Sequence, residues 1–107
     1  MVDNTTFRNL ALQFEKVEEQ PHFHRKAFRI NGKTIFATLH EKDQTANLKL
    51  TEIDQSVFCQ IDKETIYPVP GAWGRKGWTT VDLKKISKDI LEDVLKLAYE
   101  TTAKRKR

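Results

Sequence analysis

The chain holds a single cysteine, three prolines and four glycines among its 107 residues. These scarcities exclude a good deal. A lone thiol, Cys59, cannot close an internal disulfide, which suits a reducing compartment and leaves the Asn4-Thr5-Thr6 triplet without a glycosylation role. No apolar run approaches the roughly 20 residues of a helical membrane span, so Leu10-Ala11-Leu12 and the stretch from Leu95 to Tyr99 read as helix faces. The N-terminus has no basic segment leading into an apolar core, so no secretory leader and a cytoplasmic location are expected. CxxC and HExxH spacings are absent, and no serine sits in a nucleophile elbow.

Charge of one sign is also nearly missing. The net +4 comes entirely from Lys-Arg-Lys-Arg at 104–107, because the other Lys and Arg residues number 15, equal to Asp plus Glu. The body is neutral, so a basic face for nucleic acid would have to arise by segregation of charge. The tail itself, from 103 to 107, reads as a frayed, solvated helix end rather than a phosphate-binding arm.

What is present is patterned as one domain spanning 1–107. Asp3 to Thr6 offers helix caps, and Phe7, Leu10, Ala11 and Phe14 recur at helical spacing, so a helix from about Thr6 to Phe14 is expected. Val17 to Gln20 reads as a short extended segment stopped by Pro21. From Ala27 the period becomes two. Phe28 and Ile30, an Asn31-Gly32 turn with both positions at positive φ, and then Ile35, Ala37 and Leu39 describe a hairpin. Ala46, Leu48 and Leu50 make a third strand.

Thr51 then caps a middle helix, about Glu52 to Gln60, with Ile53, Val57, Phe58 and Ile61 on its apolar face. Ile66 to Val69 and Trp78 to Leu83 are two further strands. Ser87 opens a final helix whose stripe is Ile90, Leu91, Val94, Leu95 and Ala98. The order describes an α+β fold: an antiparallel sheet packed by N- and C-terminal helices plus the middle helix.

The departure from ordinary patterning lies at Tyr67 to Trp78, which gathers two prolines, three glycines, both tryptophans and Arg75-Lys76. As a strand, loop and strand it would present Trp73 beside cations at its tip, as base stacking or a protein hot spot requires. For Trp73 the alternative of folding back on the sheet stays open; Trp78 reads as a sheet residue. The glycines match neither a Walker loop nor a dinucleotide fingerprint. A second cluster is His22-Phe23-His24-Arg25-Lys26. His22 and His24 would share a strand face, with Cys59 or His40 as a third ligand, yet no surrounding pattern supports a metal site. Nothing local lowers the Cys59 thiol pKa, so an inert, buried cysteine is expected rather than a nucleophile.

Three segments carry a family resemblance: Val17-Glu18-Glu19 with Pro21-His22-Phe23, then Ala27 to Gly32 leading into Ile35 to Leu39, and above all Tyr67-Pro68-Val69-Pro70-Gly71-Ala72-Trp73-Gly74-Arg75-Lys76-Gly77-Trp78. In these the chain resembles the bacterial MmcQ/YjbR family. The resemblance implies a CyaY-like (frataxin-like) sandwich and the DNA-binding role ascribed to "double wing" proteins, with contacts from Arg25, Lys26, Trp73, Arg75 and Lys76. Only Glu15, Glu18 and Glu19 answer to the acidic ridge of frataxins, so iron binding is not implied.

The expectation is therefore a non-enzymatic binding protein with no cofactor, metal or membrane association. It would contact nucleic acid weakly and salt-dependently through the Arg25-Lys26 turn and the Trp73 to Lys76 loop. The alternative is a protein- or small-ligand-binding pocket under the same loop, with His22, Trp73 and Trp78 as its walls.

Overall fold

Asp3 starts the first element: its Oδ1 accepts the Thr6 amide at 2.7 Å, and helix α1 runs Asn4–Leu12. The computed structural model describes residues 1–104, so residues 105–107 of the expected basic tail lie outside the described residues. Phe7, Leu10 and Ala11 are the buried face of α1, and the helix ends two residues before Phe14. Phe14 belongs instead to a turn in which Lys16 takes φ +65°, and there it stacks on Tyr99 at 4.6 Å.

Strand β1, Val17–His22, is longer than the sequence pattern indicates, and Pro21 lies inside it. The proline is tolerated because β1 is an edge strand, where a missing N–H costs no ladder bond. β1 pairs with β2 (Arg25–Ile30) from Val17↔Ile30 to His22↔Arg25. The turn between them is therefore Phe23-His24, and Arg25 and Lys26 are strand residues rather than a turn. After β2, residues 31–34 lead into β3, Ile35–His40. Only Gly32 takes positive φ there, at +85°, because the Asn31 amide is drawn to the Lys16 carbonyl at 2.7 Å. The two-residue hairpin expected from Asn-Gly is replaced by this wider connection.

Phe36 breaks the alternation of β3. Arg29 pairs with Ile35 and Phe28 with Ala37, leaving Phe36 as the extra residue of a β-bulge. Phe36 and Ala37 both turn to the helical side, where Phe36 meets Phe14 and Tyr99 edge-on at 6.4 and 5.6 Å. Ile35 is thereby moved to the opposite face from Ala37 and Leu39, against the simple period-two reading.

β4 (Thr45–Lys49) is followed by α2 (Glu52–Cys59), with Thr51 Oγ1 accepting the Asp54 amide at 3.0 Å. β5 (Ile66–Pro68), a single helical turn α3 (Ala72–Arg75) and β6 (Trp78–Asp82) come next. Ser87 then caps α4, Lys88–Ala103. The six strands form one antiparallel sheet in the order β1-β2-β3-β4-β6-β5. Helix α4 lies across β3 and β4 and α1 across β1 and β3. Phe28, Leu39, Leu48 and Val81 from the sheet meet Phe7, Leu91 and Leu95 from the helices in one core. Truncating a fully buried leucine there, such as Leu95→Ala, costs about 2–5 kcal/mol.

The middle helix does not bury the expected stripe. Ile53 is 78% exposed, with Val57 and Ile61 more than half exposed, and only Phe58 and Cys59 lean on the core. The centre of the sheet is already covered by α4, so α2 sits at the β5 end. It is held there by Gln55, whose Nε2 donates to the carbonyls of Gly74 at 2.9 Å and Trp78 at 3.1 Å.

Candidate functional site

Among the described residues no helix longer than the single turn α3 lies on the other face of the sheet, and its residues follow from strand parity. Across four strands, Ala27, Thr38, Asn47 and Thr80 are register partners, a row of short side chains. Longer side chains flank the row. On one side stand His22, Arg25 and His40; on the other, Ile35 with the cross-strand pair Lys49 and Trp78. The Phe23-His24 turn rises at one end and Trp73 of α3 at the other. Short residues between tall ones leave a groove of about 690 Å³, the size range of ligand sites.

The Trp73 rim is built by close backbone approach. The α3 turn lies so near the preceding strand that a Cβ on Gly74 would stand 1.8 Å from the Val69 carbonyl oxygen. Gly77, at φ +106°, lets Leu50 donate its amide to the Gly77 carbonyl at 3.1 Å. Lys49 Nζ donates to the Lys76 carbonyl, and Lys76 Nζ lies 5.8 Å from the centroid of the Trp73 ring. Trp73 itself is 62% exposed while touching Trp78 edge-on at 6.3 Å. Both open readings of Trp73 are thus partly met: it rests on the sheet tryptophan and still offers a face to solvent.

At the opposite rim Phe23 is 92% exposed and has φ +59°. A left-handed conformation costs an aromatic residue about 1–2 kcal/mol, and the Phe23 ring meets His22 edge-on at 4.9 Å. Phe23 is the first residue of the two-residue turn between β1 and β2, a position that calls for positive φ.

The electrostatics are one-sided. Among the described residues no aspartate or glutamate lines the groove, whereas Arg25, Lys49 and all three histidines do. His40 Nδ1 lies 2.9 Å from Asp43 Oδ2, off the line of a hydrogen bond, at the outer edge. Three buried polar atoms of lining residues, His40 Nδ1, Arg25 Nη1 and Thr38 Oγ1, have no hydrogen-bond partner among the described residues. Asn47 Oδ1 accepts the Thr80 hydroxyl at 2.8 Å, which leaves its amide hydrogens as donors. Among the described residues no group of three His, Cys, Asp or Glu is placed to hold a metal ion. Burial raises the Cys59 thiol pKa, and Cys59 leans on the core at the far side of the sheet from the histidines.

Of the residues singled out from sequence, His22, Arg25, Trp73 and Trp78 come together around this groove. Lys76 joins only through its contact with Trp73, and Arg75 is exposed without lining the groove. Lys26 points to the helical side and lies 3.6 Å from Glu19 and 3.5 Å from Glu41, so it does not contribute to the surface. Sequence reasoning noticed Phe23 in the His22 to Lys26 cluster and His40 as a metal-ligand candidate without placing either in a groove, and it missed Thr38, Asn47 and Lys49. The signal that finds them is strand parity: Thr38 and His40 of β3, and Thr45, Asn47 and Lys49 of β4, alternate with buried apolar residues, as suits a sheet with one bare face.

A family model described as YjbR matches residues 12–101. No curated protein matches the chain. The fold is similar to the crystal structure of Deinococcus radiodurans protein DR2400, described with a DUF419 domain, at a TM-score of 0.85. That likeness covers 98% of this chain and 81% of the other at 18% identity, and it speaks for the fold. No helix among the described residues is long and apolar enough to cross a membrane. By the extent of the family match, the chain belongs to the YjbR family.

Proposed function

We propose that this is a non-enzymatic binding module whose working surface is the open face of the sheet, and that it binds single-stranded nucleic acid. The observation that carries the reading is the pairing of two solvent-exposed rings, Phe23 and Trp73, with a groove between them that is lined by cations and no carboxylate. An antiparallel sheet offering aromatic rings and cations is the chemistry on which unstacked bases and their phosphates settle. A duplex hides its bases and rewards a broad basic surface. The neutral body and the engagement of Lys26 with two glutamates argue for the single strand.

The cations near the groove, Arg25, Lys49 and Lys76, set the expected salt response. Two or three phosphate contacts on a single strand give a slope of about −1.4 to −2.1 in log K against log salt. Affinity then falls about 7- to 18-fold between 50 and 200 mM salt. Fluorescence anisotropy with a labelled oligothymidylate and its duplex tests this. Binding to the single strand, weakened about 10-fold or more by Trp73→Ala, supports the reading. No response up to about 100 µM protein at low salt, or equal binding by Trp73→Ala, overturns it. A small ligand held in the same groove is the second reading, favoured by the groove's volume. It would quench tryptophan emission with little dependence on salt.

A further inference from the structure

The floor of the groove contains polar groups that base stacking does not use. Thr38 is 8% exposed, and its Oγ1 has no hydrogen-bond partner among the described residues. Arg25 Nη1 is in the same condition. A buried donor left unmatched costs about 1–3 kcal/mol, and the fold offers no compensating contact here. The register shows that these groups are neighbours. Thr38 pairs with Ala27, so Arg25, two residues along the same face, lies diagonal to it, at roughly 7–8 Å between backbones. Asn47 is the direct partner of Thr38 on the other side and offers its amide hydrogens.

From this convergence of a guanidinium, a hydroxyl and a carboxamide at the centre of a carboxylate-free groove, we infer that the floor is a subsite for one phosphate monoester group, the terminal phosphate of a nucleotide. Two charge-assisted hydrogen bonds of about 2.8 Å with a phosphate between them bridge the Arg25–Thr38 diagonal. The number of donors favours phosphate over carboxylate: Arg25, Thr38 and Asn47 supply one for each of three terminal oxygens, whereas a carboxylate has two oxygens to meet them. The attached base then extends toward the Trp73 and Trp78 rings, which stand at one end of the same groove. The inference rests on the open face being the binding surface and adds to it a preference for an end over an internal stretch. A free mononucleotide and a phosphorylated strand end share this chemistry.

The test uses tryptophan fluorescence titrations of the intact chain with adenosine monophosphate, adenosine, inorganic phosphate, and oligothymidylates with and without a terminal phosphate. Adenosine monophosphate should bind about 10-fold or more tightly than adenosine. Thr38→Val should remove most of that difference, and Thr38→Ser should retain it. A matching gain for the phosphorylated oligothymidylate would assign the site to strand ends, and a gain confined to the mononucleotide would assign it to the free ligand. Equal affinities with and without the phosphate, or an unchanged phosphate preference in Thr38→Val, would overturn the subsite and leave strand binding intact. No response to any probe would overturn the functional reading and the subsite together. Thr38→Val removes an unmatched donor at constant shape, so it is expected to fold, and circular dichroism would check this.

Discussion

Replacing Gly74 by alanine should be a severely damaging single-methyl change on the groove side of the protein. Its φ is not in the left-handed region, so the effect is steric alone. The new Cβ would stand 1.8 Å from the Val69 carbonyl oxygen, 2.9 Å from its carbon and 3.3 Å from the Pro68 Cβ. Relief to about 3.0 Å requires a movement of about 1.2 Å between two backbone segments, with no flexible side chain to yield. Three hydrogen bonds bind those segments: Val69 N–H to the Trp78 carbonyl, and Gln55 Nε2 to the carbonyls of Gly74 and Trp78.

Overpacking of this kind costs about 1–3 kcal/mol, and each loosened hydrogen bond adds about 0.5–1.5 kcal/mol. With central values of about 2 kcal/mol for the overpacking and about 1 kcal/mol for each of the three bonds, a loss of about 5 kcal/mol results, equivalent to a fall of roughly 20–40 °C in Tm for a domain of this size. Urea unfolding followed by both far-ultraviolet dichroism and tryptophan emission is the assay. Because Trp73 and Trp78 flank the distortion, native emission should change even where the variant remains folded. A loss under about 1 kcal/mol with unaltered emission would refute the steric argument. Arg75→Ala, exposed on the same turn, should cost less than about 0.5 kcal/mol.

Three further predictions follow from the described contacts. Asp3 is held below its ordinary pKa of 3.8 chiefly by the Thr6 amide, and Asp62 chiefly by the Thr65 hydroxyl and then the Glu64 amide. A depressed folded pKa means that the unfolded chain binds the extra proton first, so their stabilisation is complete above pH 3.8 and is lost as pH falls through the lower folded values. Acid titration of stability should show this slope, and an Asp3→Asn/Asp62→Asn double variant should flatten it. Because burial raises its pKa, Cys59 should react with iodoacetamide at neutral pH more slowly than a free thiol of ordinary pKa; a reaction as fast as that of glutathione would contradict this. Ile53→Ser and Val57→Ser, on the outward stripe of α2, should each change stability by less than about 0.5 kcal/mol in urea melts, whereas losses above 2 kcal/mol would return that stripe to the core.

The elements most legible in the sequence were those whose signals are local. Asp3, Thr51 and Ser87 each cap the helix that follows them, and the α4 stripe of Leu91, Val94, Leu95 and Ala98 is buried as its spacing indicates. Less legible was whatever depends on which surfaces meet. The stripe of α2 has the same helical period as that of α4, yet it faces outward because α4 already covers the sheet, and no feature of α2 records that competition. The bulge at Phe36 is likewise invisible to alternation, since it is fixed by where Phe14 and Tyr99 come to rest.

The candidate site divides in the same way. Trp73, Trp78, His22 and Arg25 drew notice by composition, and the structure gathers them around one groove. Lys26, one residue from Arg25, is sent to the opposite face by nothing more than the pleat. Thr38 and Asn47 are ordinary strand residues by type, and only the register with Ala27 and Thr80 brings them to the floor.

The two ends of the sheet have a further consequence. β1 carries Pro21 within it, and β5 is three residues long, ends at Pro68 and is followed by Pro70. Pro21 and Pro68 each remove a backbone donor from an outermost strand, and Glu18 with Glu19 adds charge along the β1 side. A second copy arriving strand-to-strand would meet broken ladders at either end. The bare face can therefore present aromatic rings to solvent while the margins of the sheet resist the edge-to-edge growth that leads open β-sheets into aggregates.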